Sequence, residues 1–167
     1  MRIATNTILS HQQICHKIKR MAFQVYESNV GEKEVVIAGI LENGFVLAKK
    51  LKAEIEKIAP LRVVLCEVSM DKLAPIGTIA CSLEVSKIQD KSLILVDDVL
   101  NSGTTLIYGV QFFLNIPLKQ FKTAVLVDRN HKKYPVKADF KGISLSTSLN
   151  ENVVVSFAKN NYSVFLQ

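Results

Sequence analysis

The 167 residues predict a single α/β domain, 1–167, built on a mostly parallel sheet flanked by helices. Apolar runs rich in β-branched residues alternate with stretches of helical periodicity. The run Leu93–Val96 is short and wholly apolar, as strands in the middle of a parallel sheet are. Polar and glycine residues follow two of these runs directly, at the sheet edge where such folds bind ligands.

Ser10 and Gln13 form a capping-box start. Ile14, Ile18, Met21, Ala22 and Val25 then recur at helical spacing, which predicts a helix to about residue 28. Residues 34–40, EVVIAGI, read as a buried strand ending at a glycine turn. Leu47, Ala48, Leu51, Ile55 and Ile58 predict a helix over 45–58, and 62–68 a second strand. The stretch 70–85 has weak periodicity and contains Pro75 and Gly77, so a loop or flexible hairpin is expected. A helix over 102–116 and a strand over 122–127 follow, then short strands and turns. Strands separated by helices imply right-handed crossovers.

Composition sets the class. With 49% hydrophobic and 22% charged residues the chain is an ordinary globular sequence. No apolar run is long enough to span a membrane, and the start MRIATNTILSHQQ lacks the pattern of a secretory signal, so a cytoplasmic location and no membrane partner are expected. Cys15, Cys66 and Cys81 are odd in number and widely spaced, which argues against a disulfide framework or structural zinc. The net charge of +6 suits anionic partners, either phosphorylated small molecules or nucleic acid.

The stretch 93–105, LILVDDVLNSGTT, carries the chemistry. Four apolar residues end in Asp97 and Asp98. Adjacent carboxylates at a strand end can accept hydrogen bonds from a vicinal diol and attract a metal ion. Asn101, Ser102, Gly103, Thr104 and Thr105 then lead into an apolar helix. Such a turn offers a phosphate backbone N–H groups, hydroxyls and the positive end of the helix dipole. Carboxylates beside an amide nest describe a sugar-phosphate site.

This segment resembles the fingerprint of the type I phosphoribosyltransferases: apolar strand, two acids, two apolar residues, then a Thr/Ser-Gly-x-Thr loop. The resemblance implies that fold, with a small hood mainly over 127–150 plus N-terminal residues. It implies that Asp97 and Asp98 hold the ribose hydroxyls of phosphoribosyl pyrophosphate (PRPP) as catalytic residues. Residues 101–105 would wrap its 5′-phosphate, and Leu41, Glu42, Asn43 and Gly44 would meet its pyrophosphate. Magnesium enters with the donor, near Asp97 and Asp98 but indirectly.

Residues 124–148, with Val127-Asp128-Arg129, His131, Pro135, Ala138-Asp139 and Gly142, look like the hood region of the bifunctional pyrimidine-operon regulator and uracil phosphoribosyltransferase family. That places Val127, Asp128 and Arg129 by the base. Three departures stand out. Glu42-Asn43-Gly44 replaces the usual Thr-Arg-Gly. Residues 69–75 hold one acid and one lysine in place of an Arg-Asp-Asp cluster. Asn101 stands where purine enzymes place an aspartate base; it can hydrogen-bond but cannot act as a general base at neutral pH.

The expected activity is transfer of ribose 5-phosphate from PRPP to a nucleobase, with uracil the first candidate, in a homodimer or larger homo-oligomer. The alternative is a nucleotide-sensing regulator that binds RNA through Lys17, Lys19 and Arg20, or through Lys132, Lys133 and Lys137.

Overall fold

A computed structural model describes residues 6–148 and 150–167. The apolar runs become strands whose side chains alternate between two cores, as the two-residue period of a pleated strand requires. Val35 and Ile37 face one core, Val36, Ala38 and Ile40 the other. All five are fully buried, so the strand they form, β2 (Glu34–Ile40), is covered on both faces.

Among the described residues, β2 lies in a six-stranded sheet. Its other members are β3 (Arg62–Ser69), β4 (Ala80–Cys81), β5 (Ser92–Leu100), β6 (Gln120–Arg129) and β7 (Phe140–Leu145). Their order is β4-β3-β2-β5-β6-β7, and every pairing except β3 with β4 is parallel. Helices α1 (His11–Glu27) and α2 (Asn43–Ile58) close one face through Ile14, Ile18, Leu47 and Leu51. The short α3 (Val85–Ile88) and α4 (Thr104–Phe113) close the other through Ile88, Leu106 and Phe113.

A separate three-stranded antiparallel sheet joins the two ends of the chain. Its order is β1 (Asn6–Leu9), β9 (Asn161–Leu166), β8 (Val153–Ala158). Residues 140–145, within the segment expected to form the hood, are instead the edge strand β7 of the main sheet. The N-terminal residues of that expectation, so far as they are described, lie in the small sheet.

The predicted helix over α1 starts as read: Ser10 Oγ accepts from Gln13 N and Gln13 Oε1 from Ser10 N. Two boundaries near the site differ. Strand β5 does not stop at Val96 but runs to Leu100, because its ladder with β6 continues through Asp97↔Val125, Val99↔Val127 and Leu100↔Asp128. Helix α4 starts at Thr104, not Ser102, because Gly103 has φ +86°, outside the helical region. The 70–85 stretch is a hairpin, closed by Val68↔Cys81 and Ser69↔Ala80.

Candidate active site

Asp97 and Asp98 sit within β5, past the end of its ladder with β2 at Val96 but inside its ladder with β6, which holds their backbones on that side. Asp97 is 3% exposed, and its Oδ1 accepts from Asp98 N at 3.0 Å. Burial raises the Asp97 carboxyl to about 7; the neighbouring Asp98 charge raises it too, and Lys72 pulls it down. Lys72 Nζ stands 3.1 Å from Asp97 Oδ1. It comes from the β3–β4 connection three residues past Ser69, where Leu73 N donates to Asp71 Oδ1.

Asp98 is half-buried. Its Oδ2 accepts from Asn43 Nδ2 at 3.0 Å, and the same amide group donates to the Val155 carbonyl in the small sheet at 3.0 Å. Asn43 opens α2 just after the Leu41–Glu42 peptide, which is cis. Gly44 lets this turn rest on β5: a Cβ there would lie 2.7 Å from the Val96 carbonyl oxygen. Leu41 N donates to the Val68 carbonyl, joining this loop to the hairpin base. The loop 41–43 thus meets Met70, Lys72 and Asp98 around an open cleft of about 500 Å³.

Beyond β5 the chain turns at Gly103 into α4. The N-cap residue Gly103 has no side chain to cap that helix start, and beyond Thr104 N, which Ser102 Oγ takes, the positive end of the helix dipole faces an incoming anion. Ser102 and Thr104 hydroxyls lie 2.8 Å apart, and Thr104 N donates to Ser102 Oγ. Residues 101–105, with Asp97, line one small hollow. The turn is backed by the segment after β6: Lys133 N and Tyr134 N both donate to the Ser102 carbonyl.

Of the three residues expected near a base, Arg129 alone faces this neighbourhood with its side chain. It is 7% exposed. Its Nη1 donates to Asn101 Oδ1 at 3.0 Å, Nε to Thr147 Oγ1 at 2.9 Å and Nη2 to the Ser148 carbonyl at 3.1 Å. Val127 is fully buried in the core. Asp128 is paired with Lys141 at 3.2 Å, while Lys132 Nζ stands 3.0 Å from its other oxygen, which makes no hydrogen bond. Lys72, Thr147 and Ser148 join the site through contacts of long sequence separation that no motif marks. The lone lysine in 69–75 was the available signal for the first.

The phosphoribosyl transferase domain family matches residues 4–159. The chain belongs to the type I phosphoribosyltransferase family. It is 34% identical over 158 residues to the Bifunctional protein PyrR of Bacillus pumilus, covering 89% of this chain and 88% of that protein. It is 32% identical over 158 residues to the Bifunctional protein PyrR of Bacillus subtilis, covering 89% and 87%. A hypoxanthine-guanine phosphoribosyltransferase from Bacillus anthracis shares the fold, with a TM-score of 0.76 at 24% identity over 95% of this chain and 96% of that one. The hypoxanthine phosphoribosyltransferase of Trypanosoma cruzi gives 0.77 at 16% identity, covering 95% of each chain. The sheet here presents its acidic pair and glycine turn at the carboxyl edge of β5. No helix among the described residues is long and apolar enough to cross a membrane.

Proposed function

We propose that this phosphoribosyltransferase uses uracil as its acceptor and holds PRPP along the edge formed by residues 41–44, 97–98 and 101–105. One observation carries the reading of the site: the paired carboxylates Asp97 and Asp98 lie one short turn away from an uncapped helix start at Gly103. The 5′-phosphate takes the N–H groups and hydroxyls of 102–105, and the ribose hydroxyls take Asp97 and Asp98. This fixes C1′ between the cleft of residues 41–43 and the Asn101–Arg129 pair. The bond from C1′ to pyrophosphate breaks with its electron pair leaving on pyrophosphate, positive charge develops on the ribose ring, and a nitrogen of the base adds and gives up its proton to solvent. The protein acts by positioning both reactants and by placing carboxylate charge beside the developing cation.

Asn101 supports a base that needs a hydrogen bond but no proton acceptor there. Its Oδ1 is occupied by Arg129, which leaves its amide N–H groups for a carbonyl. The donor set also fits magnesium arriving with PRPP. Among the described residues no group of three acidic, His or Cys ligands forms a cage, and this ion is commonly held by one or two carboxylates plus phosphates and water. When bound it neutralises charge on the leaving pyrophosphate. The small sheet and the segment after β7 roof the base, and the whole chain, 1–167, works as one domain in a homo-oligomer. The location we assign is cytoplasmic.

A second reading adds RNA binding to a nucleotide sensor. Among the described residues Lys17, Lys19 and Lys133 make no salt bridge, whereas Lys132 and Lys137 are paired with Asp128 and Asp139. Lys17 and Arg20 line an open cleft with His16 and Gln13. This favours α1 as the basic surface.

The test is turnover with PRPP and magnesium, offering uracil, hypoxanthine, guanine, xanthine and adenine separately. Asp97→Asn/Asp98→Asn serves as the control. Uridine monophosphate formed only by the wild type supports the assignment. Product from a purine alone overturns uracil. Nucleotide binding without turnover, with salt-sensitive RNA binding lost in Lys17→Ala/Lys19→Ala, selects the regulator.

A further inference from the structure

Pyrophosphate carries several negative charges, and the cleft assigned to it is lined by Leu41, Glu42, Asn43, Met70, Lys72 and Asp98. Two of these are acids, with Asp97 directly behind. The loop 41–44 has no basic side chain, and the Asn43 amide is already spent on Asp98 and the Val155 carbonyl. Among the described residues, Lys72 is the one cation lining the cleft. We propose that Lys72, carried on the β3–β4 hairpin, is the pyrophosphate-binding residue of this enzyme, standing in for the charge that loop 41–44 lacks.

This inference rests on the reading of the site as a PRPP pocket. Its support is geometric. The Lys72 side chain is 38% exposed, enough to reach both the cleft and its wall. Its ammonium group has three N–H donors. Asp97 Oδ1 takes one of them at 3.1 Å, and two remain for phosphate oxygens. The hairpin is also registered against the opposing loop, because Leu41 N donates to the Val68 carbonyl at its base. Lys72 therefore starts on the acid that meets the ribose and bridges it to the leaving group. A flexible stem with rotatable donors suits an ion that arrives and departs each cycle.

The experiment measures binding of magnesium pyrophosphate and, separately, of uridine monophosphate by calorimetry, on wild type, Lys72→Met and Lys72→Arg. The PRPP KM is read on the same proteins. We expect Lys72→Met to weaken pyrophosphate at least about tenfold, the loss of charge-assisted hydrogen bonds, and to raise the PRPP KM in parallel. Uridine monophosphate, which has no pyrophosphate and meets Lys72 only through Asp97, weakens severalfold less than pyrophosphate does. Lys72→Arg recovers most of the pyrophosphate affinity, which a merely structural role would not predict. Pyrophosphate binding unchanged in Lys72→Met, with nucleotide still bound, overturns the role of Lys72 alone. A wild type that binds neither nucleotide nor pyrophosphate overturns the PRPP pocket and this inference with it.

Discussion

Asn43 Nδ2 donates to Asp98 Oδ2 and to the Val155 carbonyl, each at 3.0 Å, so one amide ties the acidic pair on β5 to the small sheet. A residue at the start of α2 thereby sets the orientation of a carboxylate 55 positions away. Asn43→Ala removes both bonds and leaves a carbonyl without its partner. Urea denaturation should show a loss of about 1–3 kcal/mol. The PRPP KM should rise more than the KM of the base, because the freed Asp98 samples other rotamers.

Arg129 spans Asn101, Thr147 and Ser148 with three of its donors. Lysine cannot reproduce a planar fork. Arg129→Lys should cost about 2–3 kcal/mol in chemical denaturation, in the range for hydrogen bonds made by a charged group. It should also raise the KM of the nucleobase several-fold with a smaller change in the PRPP KM, since Asn101 loses its anchor while the turn at 102–105 keeps its own bonds. Equal changes in both would separate Arg129 from the base.

Gly103 has φ +86°, and a Cβ there would lie 2.6 Å from Val136 Cγ1. Gly103→Ala is strained by its backbone alone, at a cost of about 1–2 kcal/mol. The contact with Val136 displaces the segment whose N–H groups hold the Ser102 carbonyl. Nucleoside monophosphate affinity, read by calorimetry, should fall at least about tenfold because the helix start is no longer presented to the phosphate.

Asp97 gives the ligand-free protein a pH signature. Its folded-state pKa is raised from 3.8 to about 7, mainly by burial. Its stabilising contribution is therefore fully present below the unfolded value and is lost as pH rises through about 7. The amount at stake is on the order of 4 kcal/mol by linkage. Asp97→Asn, of the same shape and without charge, should flatten the fall in unfolding free energy between pH 4 and pH 7 relative to wild type. A wild-type curve and a variant curve with the same slope would show that Asp97 does not titrate in that window.

The amino-acid sequence by itself determined the α/β alternation, the buried strand β2, the capped start of α1, and the succession from Asp97 through Thr105. These are local: a two-residue or helical period, a capping box, a glycine before a helix each act within a few residues. Even there β5 runs beyond Val96 to Leu100, because adjacent aspartates resemble a strand end in sequence while the ladder to β6 continues through them. What the tertiary structure decided has long sequence separation. Residues 6–9 pair with 164–166 to make the small sheet, although neither strand alone signals its partner. Lys72 reaches Asp97 across 25 positions and Arg129 reaches Asn101 across 28. No periodicity records which charge meets which acid. Burial, which sets the Asp97 proton affinity and gives Val127 to the core, exists only once both faces of the sheet are covered.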